Sequence, residues 1–219
     1  MRVATFNIHH AEAVNGIIAL ERTAALLQEV APDVIALQEV DRNMSRSGTV
    51  DQVAVLGELL GMTLYFAPTI TSEGSEYGIA LAARGDLEAR SEILPRLRGE
   101  EPRAAIVGQW GGLSVLTTHL SRDAEARRLQ TEAIASIGAR LDRPALIMGD
   151  LNQSRRHLQA LTVHGFNPVV TRRPFFRRVR PTSHVDHILV TEGIIVERSF
   201  TVSTEVSDHD VLVADIQTS

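Results

Sequence analysis

The sequence predicts an α/β protein, built either on one mixed sheet or on two sheets packed on each other with helices outside. Three observations carry this. Apolar runs of strand length outnumber segments with helical spacing. The helical segments sit mainly between strands. No internal repeat or low-complexity linker breaks the pattern. In chain order, residues 3–6 form a short strand. Residues 16–30 place Ile17, Leu20, Ala24 and Leu27 at helical spacing and stop before Pro32, which a helix cannot continue through. Residues 33–40, "DVIALQEV", read as a buried strand. Residues 52–60 read as a helix closed by Gly61. Strands follow at 63–67, 79–83 and 104–110, and Gly111-Gly112 turns the last into "LSVLTTHL" as a hairpin. Residues 124–140 line Leu129, Ala133 and Ile137 along one helix face. A strand at 145–148, a short helix at 157–163 and strands at 187–190, 194–202 and 211–216 complete the pattern.

A chain of 219 residues suits a single domain, taken as 1–219, with a sizeable core. Apolar residues at 44% and charged residues at 22% give the balance of an ordinary globular protein, and no apolar run reaches the length of a membrane span. The N-terminus, "MRVATFNIHH", enters a strand pattern at once and shows no signal-peptide h-region. The chain has no cysteine, so disulfides and thiolate metal sites are excluded, which fits a cytoplasmic location. A net charge of −5 lowers the expectation of a nonspecific duplex-DNA binder. One local exception is "TRRPFFRRVR", with Arg172, Arg173, Arg177, Arg178 and Arg180. It is either a solvated basic loop or an anion-attracting rim.

One event recurs along the chain: an apolar strand borders a polar group with chemical capacity. "VATFNIHH" delivers Asn7, "VIALQEVD" Glu39 and "SVLTTHLS" His119. "LIMGDLNQS" delivers Asp150 and Asn152, which alternation would aim to the same side of an extended chain. Asp186 opens a strand, and Asp208 and His209 precede the last one. Gly, Asp and Asn are ordinary turn formers, so any one case reads as a turn. The recurrence suggests a shared rim where strand ends meet, the usual place for a ligand in layered α/β folds.

The ordered set resembles the endonuclease/exonuclease/phosphatase superfamily, which includes deoxyribonuclease I-like nucleases, abasic-site endonucleases, inositol-polyphosphate phosphatases and neutral sphingomyelinases. The matching features are an N-terminal strand ending in Asn, "LQE", a "THL" strand, "GDLN", an Asp before a late strand, and "SDH". "TFNIHH", "PDVIALQEVDR", "RSGTVDQ" and "EGSEYG" look similar to small bacterial metal-dependent hydrolases. The resemblance runs from Val3 to Asp215. It implies a four-layer α/β/β/α sandwich with two central mixed sheets, and hydrolysis of phosphate esters with Mg²⁺ or Mn²⁺, hard ions that prefer oxygen ligands.

On that resemblance Glu39 and Asn7 are the metal ligands, with Asp208 a further candidate. His209 is the general base, or holds the attacking water with Asp150. Asp186 orients His209 and favours its charged form, and Asn152 holds water or phosphate. His119 donates to a nonbridging phosphate oxygen, with Glu76 as a partner keeping it protonated. Tyr77, Arg103 and His9 are the substrate-side candidates, and alternation makes His10 a packing or surface residue. His157, His164, His184 and His187 are left as structural. The sequence departs from the family pattern twice. Tyr77-Gly78 is followed by Ile79 rather than Asn, which clouds specificity. "HHG" becomes His9-His10-Ala11, which bears on the first loop.

The leading expectation is a metal-dependent phosphodiesterase acting on a small or lipid-like molecule. The alternative is a DNA or RNA nuclease, kept open by the run of arginines ahead of Asp186. A catalytically dead phosphate-binding protein is a remote third reading, disfavoured because Glu39, Asp150 and His209 are all present. No protein partner follows from the sequence.

Overall fold

The computed structural model describes residues 1–171 and 185–218. The chain runs β1 (Arg2–Asn7), α1 (Leu20–Val30), β2 (Val34–Arg42), α2 (Gln52–Leu60), β3 (Thr63–Ser72), β4 (Ser75–Ala83), β5 (Glu88–Ile93), β6 (Ala104–Trp110), β7 (Leu113–His119), α3 (Ala124–Ala139), β8 (Ala145–Asp150), α4 (Gln159–Thr162), β9 (Asn167–Pro168), β10 (Asp186–Val190), β11 (Ile194–Val202) and β12 (Val211–Thr218). The basic segment from Arg172 to Arg180, and His184, lie outside the described residues.

Among the described residues two six-stranded sheets form, in the orders β11-β12-β1-β2-β4-β3 and β5-β6-β7-β8-β10-β9. Each is mixed. β1 and β2 run parallel with α1 between them in sequence, and β7 and β8 run parallel with α3 between them. A parallel pair needs such a crossover, whereas the antiparallel pairs need only turns. Trp110 faces Leu113 across Gly111-Gly112, whose φ values of 53° and 81° fit the two-residue hairpin the sequence predicts.

Alternation sorts the core into layers. Ala4 and Phe6 of β1, Ile35 and Leu37 of β2, and Ala80 and Ala82 of β4 pack with Leu20, Ala24 and Leu27 of α1 and Leu56 of α2. The opposite parity (Val3, Val34, Ala36, Ile79, Leu81) meets Ile106, Val115, Leu146, Met148 and Ile188 of the second sheet. The outer parity of that sheet, with Leu116, Ile147 and Leu189, packs on Ile134 and Ile137 of α3 and Leu161 of α4. The result is the four-layer sandwich. Each Leu or Ile sealed in these layers contributes about 1.5–3 kcal/mol.

Several boundaries depart from expectation. The first helix begins at Leu20, because Gly16 turns the chain and Glu12 bridges Ile18 ahead of it. The strands expected at 63–67 and 79–83 lengthen into a hairpin, with Ser72 opposite Ser75 across Glu73-Gly74. β5 was missed because it is a mostly exposed edge strand without a continuous apolar face. The short helix expected at 157–163 is split into a 3₁₀ turn at Arg155–His157 and the single turn of α4. Among the described residues, no helix is long and apolar enough to cross a membrane.

Candidate active site

The parity that fills the space between the sheets also aims the polar residues at its mouth. Val3 of β1 lies between the sheets, so Asn7 points there too. Leu113 and Val115 of β7 fix the side of His119, Leu146 and Met148 of β8 that of Asp150, and Ile188 of β10 that of Asp186. Register brings them to one end: His119 pairs with Asp150, and Asp150 with Asp186. Gly149 permits this approach, since a Cβ there would lie 2.1 Å from the Thr118 carbonyl oxygen.

Glu39 arrives by another route. The expected strand end is a bulge inside β2: Leu37 pairs with Ala80 but Val40 with Gly78, so β2 carries one extra residue. Leu37 and Val40 both face the helix layer, which turns the intervening residues toward the other sheet. Glu39 takes φ 57°, a left-handed conformation that costs a non-glycine residue about 1–3 kcal/mol and clusters at functional sites.

The polar groups interlock. Asn7 Nδ2 donates to Glu39 Oε1 at 2.9 Å and to Asp150 Oδ2 at 3.2 Å, and Asn7 Oδ1 accepts the His9 N–H at 3.0 Å. Asp150 Oδ1 accepts the Asn152 N–H at 2.9 Å, and Asn152 Nδ2 donates to the Leu120 carbonyl at 2.8 Å. The "GDLN" segment is thus both a turn, as its composition suggests, and part of the site. Asn152 reaches the cleft through φ 49° rather than along an extended chain. His209 Nδ1 lies 2.8 Å from Asp186 Oδ2 and its Nε2 3.8 Å from Asp150 Oδ2. This pair joins the two sheets, because His209 precedes β12 of the first and Asp186 opens β10 of the second. Ser207, whose contribution the sequence did not reveal, donates to the Asn7 carbonyl at 2.8 Å and accepts the His209 N–H at 3.1 Å.

Charge follows from these contacts. Burial opposes a charge on His209, but the hydrogen bond and charge of Asp186, with Asp150 and Asp208, outweigh it and raise its pKa to about 9. Burial lifts Asp186 to about 7 against the pull of His209. His209 is held as imidazolium at neutral pH by the Asp186 carboxylate. His119 goes the other way. Burial, with Arg103 adding to it and Asp150 opposing, lowers its pKa to about 4. Arg103 Nη1 lies 2.9 Å from His119 Nδ1, and a guanidinium only donates, so Nδ1 accepts and Nε2 carries the proton toward Asp150 Oδ2, 3.5 Å away. This corrects the expectation that Glu76 keeps His119 protonated. Glu76 is taken by Arg42 at 2.8 Å, and the ring's actual neighbour is Arg103. Burial raises Tyr77 above its usual range, leaving a phenol that can donate.

These groups line a cleft of about 590 Å³, which brings together Glu39, Tyr77, Arg103, His119, Asp150, Asn152, Asp208, His209 and both His9 and His10. Asn7 and Asp186 support it from behind through Glu39, Asp150 and His209. His10 is buried, as a packing residue should be, yet it also faces the cleft. A 3₁₀ turn at His9–Ala11 ends the alternation that had separated the two rings. Arg46 was missed. Its guanidinium is clamped by buried Asp41, with Nη2 to Oδ1 at 2.7 Å and Nε to Oδ2 at 2.9 Å. It lies 4.9 Å over the Tyr77 ring at the cleft wall. Its signal was "DRNMSRSG", an Arg five residues after an Asp, which only the fold pairs. His187 Nε2 donates to the Gln153 carbonyl oxygen at 2.8 Å, away from the cleft.

The donor set suits a hard dication. Glu39 and Asp150 are tied by one carboxamide, and among the described residues no guanidinium pairs with either. Ligand atoms of Asp150, Asp186 and His209 also lie within 4.8 Å of one another.

Two facing sheets with carboxylate, imidazole and carboxamide groups converging at one end define a deoxyribonuclease I-like sandwich with a hydrolase cleft. The chain belongs to the Endonuclease/Exonuclease/phosphatase family, whose sequence profile matches residues 4–209. Members of this family are hydrolases of phosphate esters and generally depend on divalent metals. No curated protein matches the chain by sequence. An endonuclease/exonuclease/phosphatase of Beutenbergia cavernae shares its fold with TM-score 0.81 and 22% identity, over 100% of this chain and 71% of that one. The mannosyl-6-phosphatase of Bacteroides thetaiotaomicron aligns at TM-score 0.71 and 17% identity, over 99% of both chains. The human Nocturnin catalytic domain, solved with a bound sulfate anion, aligns at 0.73 and 19%, over 100% of this chain and 94% of that one.

Proposed function

We propose that the cleft hydrolyses a phosphodiester of a small or lipid-like molecule by direct attack of water, with Mg²⁺ or Mn²⁺. The observation that carries this reading is the convergence of two imidazole Nε2 atoms, His119 at 3.5 Å and His209 at 3.8 Å, on one carboxylate oxygen of Asp150. A phosphate between them meets two N–H donors, and a water beside it meets an acceptor. In this reading Asp150 takes the proton of the attacking water. His209, held charged by Asp186, donates to the phosphoryl or leaving oxygen. His119, neutral with its proton on Nε2, donates to a nonbridging oxygen as charge develops. Asn152 and Tyr77 add donors at the wall, and Arg103 fixes the His119 tautomer. Glu39 would hold the metal, with Asn7 through the remaining lone pair of its amide oxygen and Asp208 at the rim. Held there, such an ion would supply Lewis-acid polarisation of the phosphoryl oxygen and charge stabilisation for the leaving oxygen.

The test compares bis-p-nitrophenyl phosphate, sphingomyelin, inositol phosphates, sugar 6-phosphates and nucleic acids, each with chelator, Mg²⁺ and Mn²⁺. Sugar 6-phosphates enter because a structural neighbour is a mannosyl-6-phosphatase. Diester hydrolysis restored by metal and lost in Asp150→Asn supports the reading. Undiminished hydrolysis in chelator, or turnover confined to monoesters, overturns it. The arginines from Arg172 to Arg180 favour nucleic acid as the second reading. In that case neutralising Arg177, Arg178 and Arg180 flattens the salt dependence of binding.

A further inference from the structure

We propose that His9, His10 and Glu39 form a second, nitrogen-rich dication site that takes a borderline metal such as Zn²⁺ in preference to Mg²⁺. It shares Glu39 with the function proposed above but rests on different atoms. One ring nitrogen of each histidine and a Glu39 oxygen lie within 4.8 Å of one another. The two oxygens of Glu39 divide between the sites. Oε1 accepts from Asn7 at 2.9 Å, while Oε2 lies 4.0 Å from His10 Nδ1.

The tautomers set by the contacts are the ones a metal needs. Glu12 stands behind both rings, its carbonyl oxygen 3.3 Å from His9 Nδ1 and its carboxylate Oε2 3.2 Å from His10 Nε2. Both Glu12 atoms accept, so each ring turns its N–H toward Glu12. In the neutral ring the lone pair is then on the other nitrogen, His9 Nε2 and His10 Nδ1. A ligating histidine characteristically has its other nitrogen held by a carboxylate or a carbonyl in this way. His10 is only 8% exposed, and its Nδ1 is buried without a hydrogen-bond partner. A buried nitrogen left so is rare and asks for an explanation.

The backbone is bent to present these rings. His9, His10 and Ala11 take φ of 48°, 43° and 61°, a left-handed run of non-glycine residues. Gln52 pins it through the His10 carbonyl at 2.8 Å, and Ala19 through the Ala11 carbonyl at 2.8 Å. Such strain persists where surroundings enforce it, commonly at ligand sites. Two imidazoles and one carboxylate suit Zn²⁺ and its neighbours, whereas Mg²⁺ prefers oxygen and water. At metal–ligand distances of about 2.0–2.1 Å the donors must close by roughly an ångström on binding.

Calorimetric titration of the chelator-treated full chain, without substrate, decides the matter. The expected result is one Zn²⁺ equivalent that excess Mg²⁺ does not displace. His9→Asn and His10→Asn should weaken it about tenfold or more, and Glu12→Gln, which removes only the supporting carboxylate, about 10–100-fold. Glu12 is only half-buried and the change is isosteric, so that variant stays informative if a histidine variant misfolds. Displacement of all Zn²⁺ by Mg²⁺, or a Glu12→Gln isotherm superimposable on the parent's, overturns the site. Because no turnover is read, that failure leaves the proposed hydrolysis standing, and a chain inert toward every phosphodiester leaves this binding test intact.

Discussion

His209 and Asp186 meet at 2.8 Å from opposite sheets, so each is placed by the other's sheet as well as its own. A positioned acid or base contributes about 10²–10⁴-fold, and His209→Ala should lower turnover by that much with the fold intact by circular dichroism. Asp186→Asn should cost less and add little to His209→Ala, because the two act as a unit. Full additivity of the two losses would separate them. His119 makes a prediction about acid stability. Its folded pKa is lowered to about 4 from the ordinary 6.5. Between those values the unfolded chain binds a proton that the folded chain refuses, so acidification through this window favours unfolding. At its limit below pH 4 the contribution is roughly 3 kcal/mol, at about 1.4 kcal/mol per unit. Asp186, raised to about 7, works in the opposite sense over much of this range, so the parent's own profile mixes the two. The difference between parent and His119→Gln isolates the histidine. The variant should gain on the parent between pH 6.5 and 4 in urea unfolding, and a pH-independent difference would show that His119 does not titrate as its burial demands.

At the scale of elements, α1 ends in Ala31, exposed at φ 51° with its N–H on the Leu27 carbonyl, where helices usually place glycine. An alanine held left-handed costs about 1–2 kcal/mol, partly offset by the entropy a glycine loses on folding. Ala31→Gly should therefore stabilise the protein by roughly 0.5–1 kcal/mol in urea midpoint, and a lower midpoint would contradict that balance. The same kind of backbone freedom marks what was legible in the sequence. The alternation that buries Val115, Met148 and Ile188 also aims His119, Asp150 and Asp186, so these positions could be read from the chain. Glu39 could be picked as a residue but not aimed, since the bulge that turns it leaves no trace in periodicity. The His9–His10 turn reversed the same logic: alternation put one ring aside, and three left-handed residues brought both to the cleft. Arg46 and Ser207 were illegible as site residues because their partners, Asp41 with Tyr77 and Asn7 with His209, are set by tertiary contacts.

Across the whole molecule the cleft is a seam: Asn7, Glu39, Tyr77 and His209 come with the first sheet, and His119, Asp150 and Asp186 with the second. The strand pattern left one mixed sheet or two packed sheets open, and the family resemblance supplied the choice of a four-layer sandwich. The seam has an electrostatic consequence. It gathers Glu39, Asp150, Asp186 and Asp208 where among the described residues no arginine pairs with Glu39 or Asp150, so the metal-free fold holds repelling carboxylates together. A dication bound there binds only the native state, because unfolding disperses donors that are distant in sequence. Linkage then gives about 2.7 kcal/mol at a hundredfold excess over Kd, which for a chain of this size is a rise of about 5–10 °C in Tm. Adding Mg²⁺ or Mn²⁺ to chelator-treated protein should produce that rise, and sodium chloride at matched ionic strength should not. Asp150→Asn loses one of the carboxylates at the seam, so it should gain less than the parent when metal is added. Glu39→Gln should lose most of the metal-induced rise. Equal shifts in parent, Asp150→Asn and Glu39→Gln would place the stabilising ion elsewhere on the surface and detach the cleft from metal binding.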